Sequence, residues 1–285
     1  MLQQFPRTTV GGISLSRMII GTNWLLGWSH RGPAADRLIK TTHGSKEAIS
    51  PILNKFIEYG VDTVMGPISN QPTMLDAIRY TAEASGKQLI MVDTPIINVG
   101  PDLQSRKEAY ETIRQSAASG AKLCLLHHSS VEKLVRKDTE TIERLDEYTK
   151  MIREQGMIPG LSAHMPELVI YSDANGYDVE TYIQIYNCAG FLMQVEVESI
   201  AKVIYNAKKP VMTIKPMAAG RVTPYVGFNF VWNTIRPCDM VTVGCMTQWE
   251  AEEDIEISLA AIERRFPDMG ERSSPNPQQA VFMNK

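Results

Sequence analysis

The sequence predicts a single (β/α)₈ barrel, a TIM-barrel fold, and three observations lead there. Short apolar runs alternate with amphipathic stretches along the chain, the early amphipathic stretches each stop at a glycine, and about eight such units follow one another. Continuous apolar strands alternating with helices describe parallel strands covered on both faces. The 285 residues fit the roughly 250 that a barrel needs, with modest extensions. A doubly wound open sheet would carry a Gly-x-Gly-x-x-Gly turn after its first strand, and none is present.

The first strand is read at residues 17–22 (RMIIGT). A helix over 46–59 follows and ends at Gly60, a residue that tolerates the positive φ of a helix C′ position. Strand 61–65 and helix 72–85 come next, closed by Gly86; strand 88–92 and helix 105–119 are closed by Gly120. Strand 122–126 leads to a long charged helix over 138–155 and then to Gly156. Strand 158–162, a short helix at 166–171, strand 181–186 and helix 197–207 continue the pattern. Strand 211–215, helix 224–235, strand 240–244 and helix 248–265 complete it. The barrel domain is therefore drawn as 1–265.

Two segments stand outside the repeat. Residues 23–44 are far longer than the ~2–6 residues usual for a strand-to-helix loop. They carry Trp24, Trp28, His30, Arg31, Arg37, Lys40 and His43. Following the first strand, this segment belongs on the active face, where it is either a lid or a structural insertion. Residues 266–285, rich in Pro, Ser and Gln, read as a C-terminal extension.

Composition narrows the function classes. Hydrophobic residues make up 44% and charged residues 21%, the balance of a chain that buries a core. A net charge of −3 gives no electrostatic basis for binding nucleic acid or an anionic membrane. No apolar run approaches the ~20 residues of a membrane span. Cys124, Cys188, Cys238 and Cys245 show no CxxC spacing and read as reduced thiols, so a cytoplasmic location is expected. The expected partner is a small-molecule substrate, with self-association into a homo-oligomer left open.

Several segments resemble one family. The opening GGISLSRMIIGT is similar to the first strand of the aldo-keto reductases, and residues 47–64 match their next helix and strand in position. GLSAH at 160–164, YIQIYN at 182–187, KPMAAGR at 215–221 and the closing VTVGCMTQWEAEEDIEIS resemble later strand ends of that family, in order. In the family an Asp, Tyr, Lys and His meet at the barrel mouth; the Tyr donates a proton while NADPH delivers hydride. Carried over by position, Met65 and Gly66 stand at the Asp, Asn70 at the Tyr, and Asp93–Thr94–Pro95 where the Lys is expected. Only the His remains, as His127. The resemblance thus implies a divergent member lacking the Asp/Tyr/Lys part of the tetrad. It also places Ser162 and Gln184 at the nicotinamide carboxamide, and Gly244 and Thr247 at the adenosine phosphate, of an NADP cofactor. Against that, Glu250, Glu252, Glu253 and Asp254 crowd the start of the last helix and would repel a 2′-phosphate.

Side chains at the C-terminal strand ends of a barrel converge on one cavity. Here they are Asn23, Asp93, His127, His128, His164, Asn187, Lys215 and Cys245. Because strand side chains alternate, one of His127 and His128 is expected to face inward, and His127 is favoured. Asp93, His127 and His164 offer one carboxylate and two imidazoles to a divalent metal. Lys215, if desolvated, would act as a base or Schiff-base nucleophile, or would bind an anionic group beside Asp93. The catalytic set is therefore Asp93, His127, His164 and Lys215. Asn23, Trp24, His128, Asn187 and Arg221 are the expected substrate contacts.

Three functional expectations follow. The first is an enzyme acting on a small polar hydroxy- or oxo-acid or sugar-like substrate by acid–base chemistry, of the lyase or isomerase type, with or without a divalent metal. The second is an NAD(P)-dependent oxidoreductase with a rearranged proton donor. The third is a barrel that binds a ligand without turnover.

Overall fold

In the computed structural model, which describes residues 2–269, eight parallel strands close into a barrel. They are β1 (Met18–Gly21), β2 (Thr63–Gly66), β3 (Ile90–Asp93), β4 (Leu123–Leu126), β5 (Ile158–Ala163), β6 (Tyr182–Ile185), β7 (Val211–Ile214) and β8 (Met240–Val243). Each pairs with its neighbour in sequence, and β8 returns to β1 through Val241 opposite Met18. The fold expectation is met.

The alternation of strand side chains divides the core in two. Ile19, Met65, Val92, Leu123, Leu125, Ile158, Ile183, Met212 and Met240 fill the barrel interior. The outward residues, among them Ile20, Val64, Cys124 and Tyr182, pack under the helices. Burying one such aliphatic side chain is worth roughly 1.5–3 kcal/mol, so both layers contribute heavily. Gly160 belongs to this packing: a Cβ there would lie 2.7 Å from Leu125 and 2.8 Å from the Thr181 carbonyl.

The N-terminal end of the barrel is plugged by a hairpin. Arg7–Val10 pairs antiparallel with Ile13–Ser16 around Gly11–Gly12, whose positive φ angles suit a two-residue turn. Val10 and Leu15 insert into the interior cluster. The two glycines between β-branched runs are a hairpin signal; reading this stretch only as the approach to the first strand passes over it.

Most helices sit where the pattern predicts, within a few residues: Lys46–Glu58, Pro72–Ser85, Leu103–Ala118, Val197–Asn206, Pro224–Thr234 and Gln248–Glu263. Helix Glu167–Asn175 runs a turn longer than expected, to Gly176. One expectation fails. The long helix over 138–155 begins only at Leu145, because Val135–Arg136 and Thr141–Ile142 form a small antiparallel ladder. Glu140 and Arg144 have left-handed backbones that interrupt any helix there, while Ile142 is buried. Residues 23–44 fold into helices Asn23–Leu26 and Pro33–Thr42. Of the proposed C-terminal extension, residues 270–285 lie outside the described residues.

Candidate active site

The C-terminal strand ends open into a cavity of about 1170 Å³. The segment between β1 and helix Lys46–Glu58 forms one wall, contributing Asn23, Trp24, Trp28, His30 and Arg31. His43 ties that wall to the loop after β8, its Nε2 lying 2.9 Å from the Met246 carbonyl.

His127 and His128 both line the cavity, which corrects the expectation that only one would. Strand pairing stops at Leu126, and His127 instead caps a short helical turn, His128–Val131, with Nδ1 2.8 Å from Ser129 Oγ. Strand alternation no longer governs the two side chains. His128 stacks on His164 from the end of β5 at a centroid distance of 3.7 Å and 16° between planes; His127 lies 4.2 Å from His128. Burial holds His127 at about 4 and His164 at about 3, with cationic neighbours adding to the effect, so both imidazoles are neutral at pH 7.

Glu132 joins the group, and the strand-end reading missed it because it lies past the strand. It stands four residues after His128, and that spacing was the available signal. Its Oε1 accepts the His164 and Met165 N–H groups at 2.7 and 2.9 Å; its Oε2 lies 3.9 Å from His128 Nδ1. Burial works against its charge, but hydrogen bonds from His128 and those two N–H groups hold its carboxyl below the ordinary range.

Lys215 follows β7 with φ +61°, a left-handed conformation uncommon for lysine, and lines the same cavity. The backbone turns sharply there, with the Ala218 N–H donating to the Lys215 carbonyl. No carboxylate pairs with the ammonium among the described residues, and desolvation lowers it from 10.5 to about 8. The free amine, a minor form at pH 7, is thus far more populated than that of an ordinary lysine.

Asp93 does not take part. Val92 faces the barrel interior, so Asp93 points outward and is fully buried beside helix Leu103–Ala118. Its Oδ1 accepts the Ile68 and Ser69 N–H groups at 2.8 and 3.0 Å, and Ser116 Oγ donates to Oδ2. The expected Asp93–His127–His164 metal set and the Asp93–Lys215 pair therefore do not form. Gln184 is displaced for the same reason: Ile183 lines the cavity, and Gln184 is buried on the outer face. Asn187 is spent within its own loop, accepting from Phe191 N–H at 2.9 Å and donating to its carbonyl. Arg221 remains at the rim, 4.0 Å over the Phe191 ring.

Of the residues implied for NADP, Ser162 and Gly244 line the cavity. The Trp24 indole covers Gly244 so closely that a Cβ there would lie 3.0 Å away. Thr247 caps helix Gln248–Glu263 in a closed capping box: it accepts from Glu250 N–H, while the Glu250 carboxylate accepts the Met246 and Thr247 N–H groups. The donors that would hold a phosphate are thus taken by the chain's own glutamate. Asp254, buried with its carboxyl pushed well up by desolvation and then by Glu250 and Glu253, stands at the same end. These residues do not fit a 2′-phosphate.

No family model and no curated protein sequence matches this chain. Solved structures do match in fold. A candidate aldo-keto reductase from Pseudomonas aeruginosa aligns with TM-score 0.65 at 12% identity, over 90% of this chain and 96% of that one. An aldo-keto reductase from Klebsiella pneumoniae, solved in complex with NADPH, aligns with TM-score 0.59 at 13% identity, over 93% and 92%. The glycerol dehydrogenase of Gluconobacter oxydans gives 0.58 at 12%, over 98% and 99%. At such identities the likeness is one of fold, and it agrees with the resemblance read from the strand-end segments. Among the described residues, no helix is long and apolar enough to cross a membrane.

Proposed function

We propose that the protein is an enzyme of the lyase or isomerase type, acting at the barrel mouth on a small polar oxo- or hydroxy-acid or sugar-like substrate. The observation that carries this reading is Lys215: a desolvated amine, without a carboxylate partner among the described residues, lining one cavity with three histidines. Its free amine is suited to remove a proton beside a carbonyl, or to condense with that carbonyl, releasing water and forming an imine. His127, which lines the same cavity, would pass protons to and from the substrate. Arg221 and Arg31 at the rim supply positive charge for a carboxylate.

The test is solvent-deuterium exchange into a panel of 2-oxo acids and hydroxy-ketones, followed by NMR, with borohydride added in parallel to trap an imine for mass mapping. Exchange or trapping that disappears in Lys215→Met is the expected result. Exchange that persists in that variant would sink the reading.

A second reading is an NAD(P)-dependent oxidoreductase, favoured by the fold likeness to aldo-keto reductases and by Ser162 lining the cavity. The acidic end around Glu250 argues that any such nucleotide lacks a 2′-phosphate. Fluorescence titration with NADH and NADPH decides it: binding of neither removes this reading.

A further inference from the structure

Three donor groups at the edge of the cavity form a set that the proposed chemistry does not by itself require. One ligand atom each from His128, Glu132 and His164 lies within 4.8 Å of the others. The three come from the segments that follow two neighbouring strands, β4 and β5, and hydrogen bonds and stacking hold them in place. Glu132 is anchored by two backbone N–H groups on Oε1, which leaves Oε2 turned toward His128. His164 is held by its stack on His128. Their side chains are largely withdrawn from solvent, 28% exposed for His128 and 18% for Glu132, while both histidines still line the cavity.

Two imidazoles and one carboxylate are the ligand set of open divalent-metal sites, in which three protein ligands leave positions for water or substrate. Carboxylate-anchoring hydrogen bonds of the kind that Glu132 accepts are what fix a ligand's direction in such sites. We infer that His128, Glu132 and His164 bind one divalent cation of the Zn²⁺ class, with its open positions facing the cavity. Resting on the reading of the mouth as the reaction site, this narrows the substrate to one presenting two oxygens, such as a 2-oxo or 2-hydroxy acid, that can chelate the ion. The ion would polarise the carbonyl beside Lys215.

The experiment uses the full chain, stripped with chelator. Zn²⁺ is titrated by calorimetry, and Co²⁺ by its ligand-field spectrum, which reports coordination directly. The wild type is expected to bind one ion with a nitrogen-containing coordination spectrum. Glu132→Gln, which keeps an acceptor for the two N–H groups, and His164→Gln are each expected to weaken binding by about 100-fold or more. Lys215→Met is expected to bind as tightly as the wild type or more so, which separates this claim from the lysine chemistry. Weak binding at several sites, or equal affinity in wild type and Glu132→Gln, overturns the metal site and leaves the exchange test of Lys215 standing.

Discussion

The two ends of the barrel treat their charged groups in opposite ways. At the N-terminal end, Asp239 is fully buried and fully paired. Arg236 Nη2 donates to its Oδ1 at 2.7 Å and Nε to its Oδ2 at 2.9 Å, while Val211 N–H donates to Oδ1 at 2.8 Å. Arg17 completes the network through the Asp239 and Arg236 carbonyls, lying 5.2 Å over Trp232. At the C-terminal end, Lys215 has no carboxylate partner among the described residues, and the hydroxyls of Thr22 and Thr242 are likewise buried without partners among them. One end pairs its charged groups and holds the strands in register. The other leaves them unsatisfied where a ligand could complete them, which is the division of labour expected of a barrel enzyme.

This contrast is breakable by substitution, and the largest effect belongs to the satisfied end. Asp239→Ala removes the buried partner of the half-buried Arg236 guanidinium and the acceptor of the Val211 N–H, and is expected to cost about 3–5 kcal/mol, a fall in Tm of about 10 °C by calorimetry. A fall of only a degree or two would mean that this network does not hold the barrel. Asp93→Ala comes next, at about 2–3 kcal/mol, because the Ile68 and Ser69 N–H groups lose their acceptor. Since Asp93 faces away from the cavity, metal affinity and deuterium exchange per folded molecule should not change. A loss of either would return Asp93 to the site.

At the mouth the sign reverses. Lys215→Met is expected to raise stability by about 1–3 kcal/mol at pH 7, because it removes a charge held without a partner. The lysine holds its proton less well in the folded chain, at about 8, than in the unfolded chain at 10.5. Below pH 8 both states are protonated and the full cost is present. Between 8 and 10.5 the unfolded chain binds more protons, so wild-type stability rises with pH and the gap to the variant closes. Urea midpoints for both proteins across pH 7–10.5 test this, and a gap independent of pH would contradict it. Thr242→Val is the smallest case, a gain of under about 1 kcal/mol from replacing an unpaired buried hydroxyl by a methyl group. A loss of 1 kcal/mol or more in the same denaturation assay would show that the hydroxyl has a partner.

The same contrast explains what could be read from the sequence. The barrel was legible because apolar periodicity and helix-ending glycines act locally, and eight such units leave few alternatives. The charge-rich stretch 138–155 misled because its residues suit a helix surface, whereas packing of Ile142 and left-handed turns at Glu140 and Arg144 decide its start. His127, His164 and Lys215 were legible as strand-end residues. Asp93 and Gln184 were not separable from them, because one step of register decides between cavity and outer face, and only the assembled sheet fixes that step. Glu132 lay past the strand, outside any strand-end rule, and the i, i+4 spacing from His128 gains meaning only once His164 is known to stack there.

The acid–base chemistry proposed for the barrel mouth depends on Lys215 being a desolvated amine, unpaired among the described residues. The most direct measurement is the titration of lysine side chains by NMR in the full chain, with Lys215 assigned by its absence from the Lys215→Met spectrum. One lysine resonance titrating near pH 8, well apart from the rest, is the expected result. If the Lys215 signal instead titrates with the bulk near 10.5, the amine is solvated or paired, and the proposed acid–base chemistry loses its base.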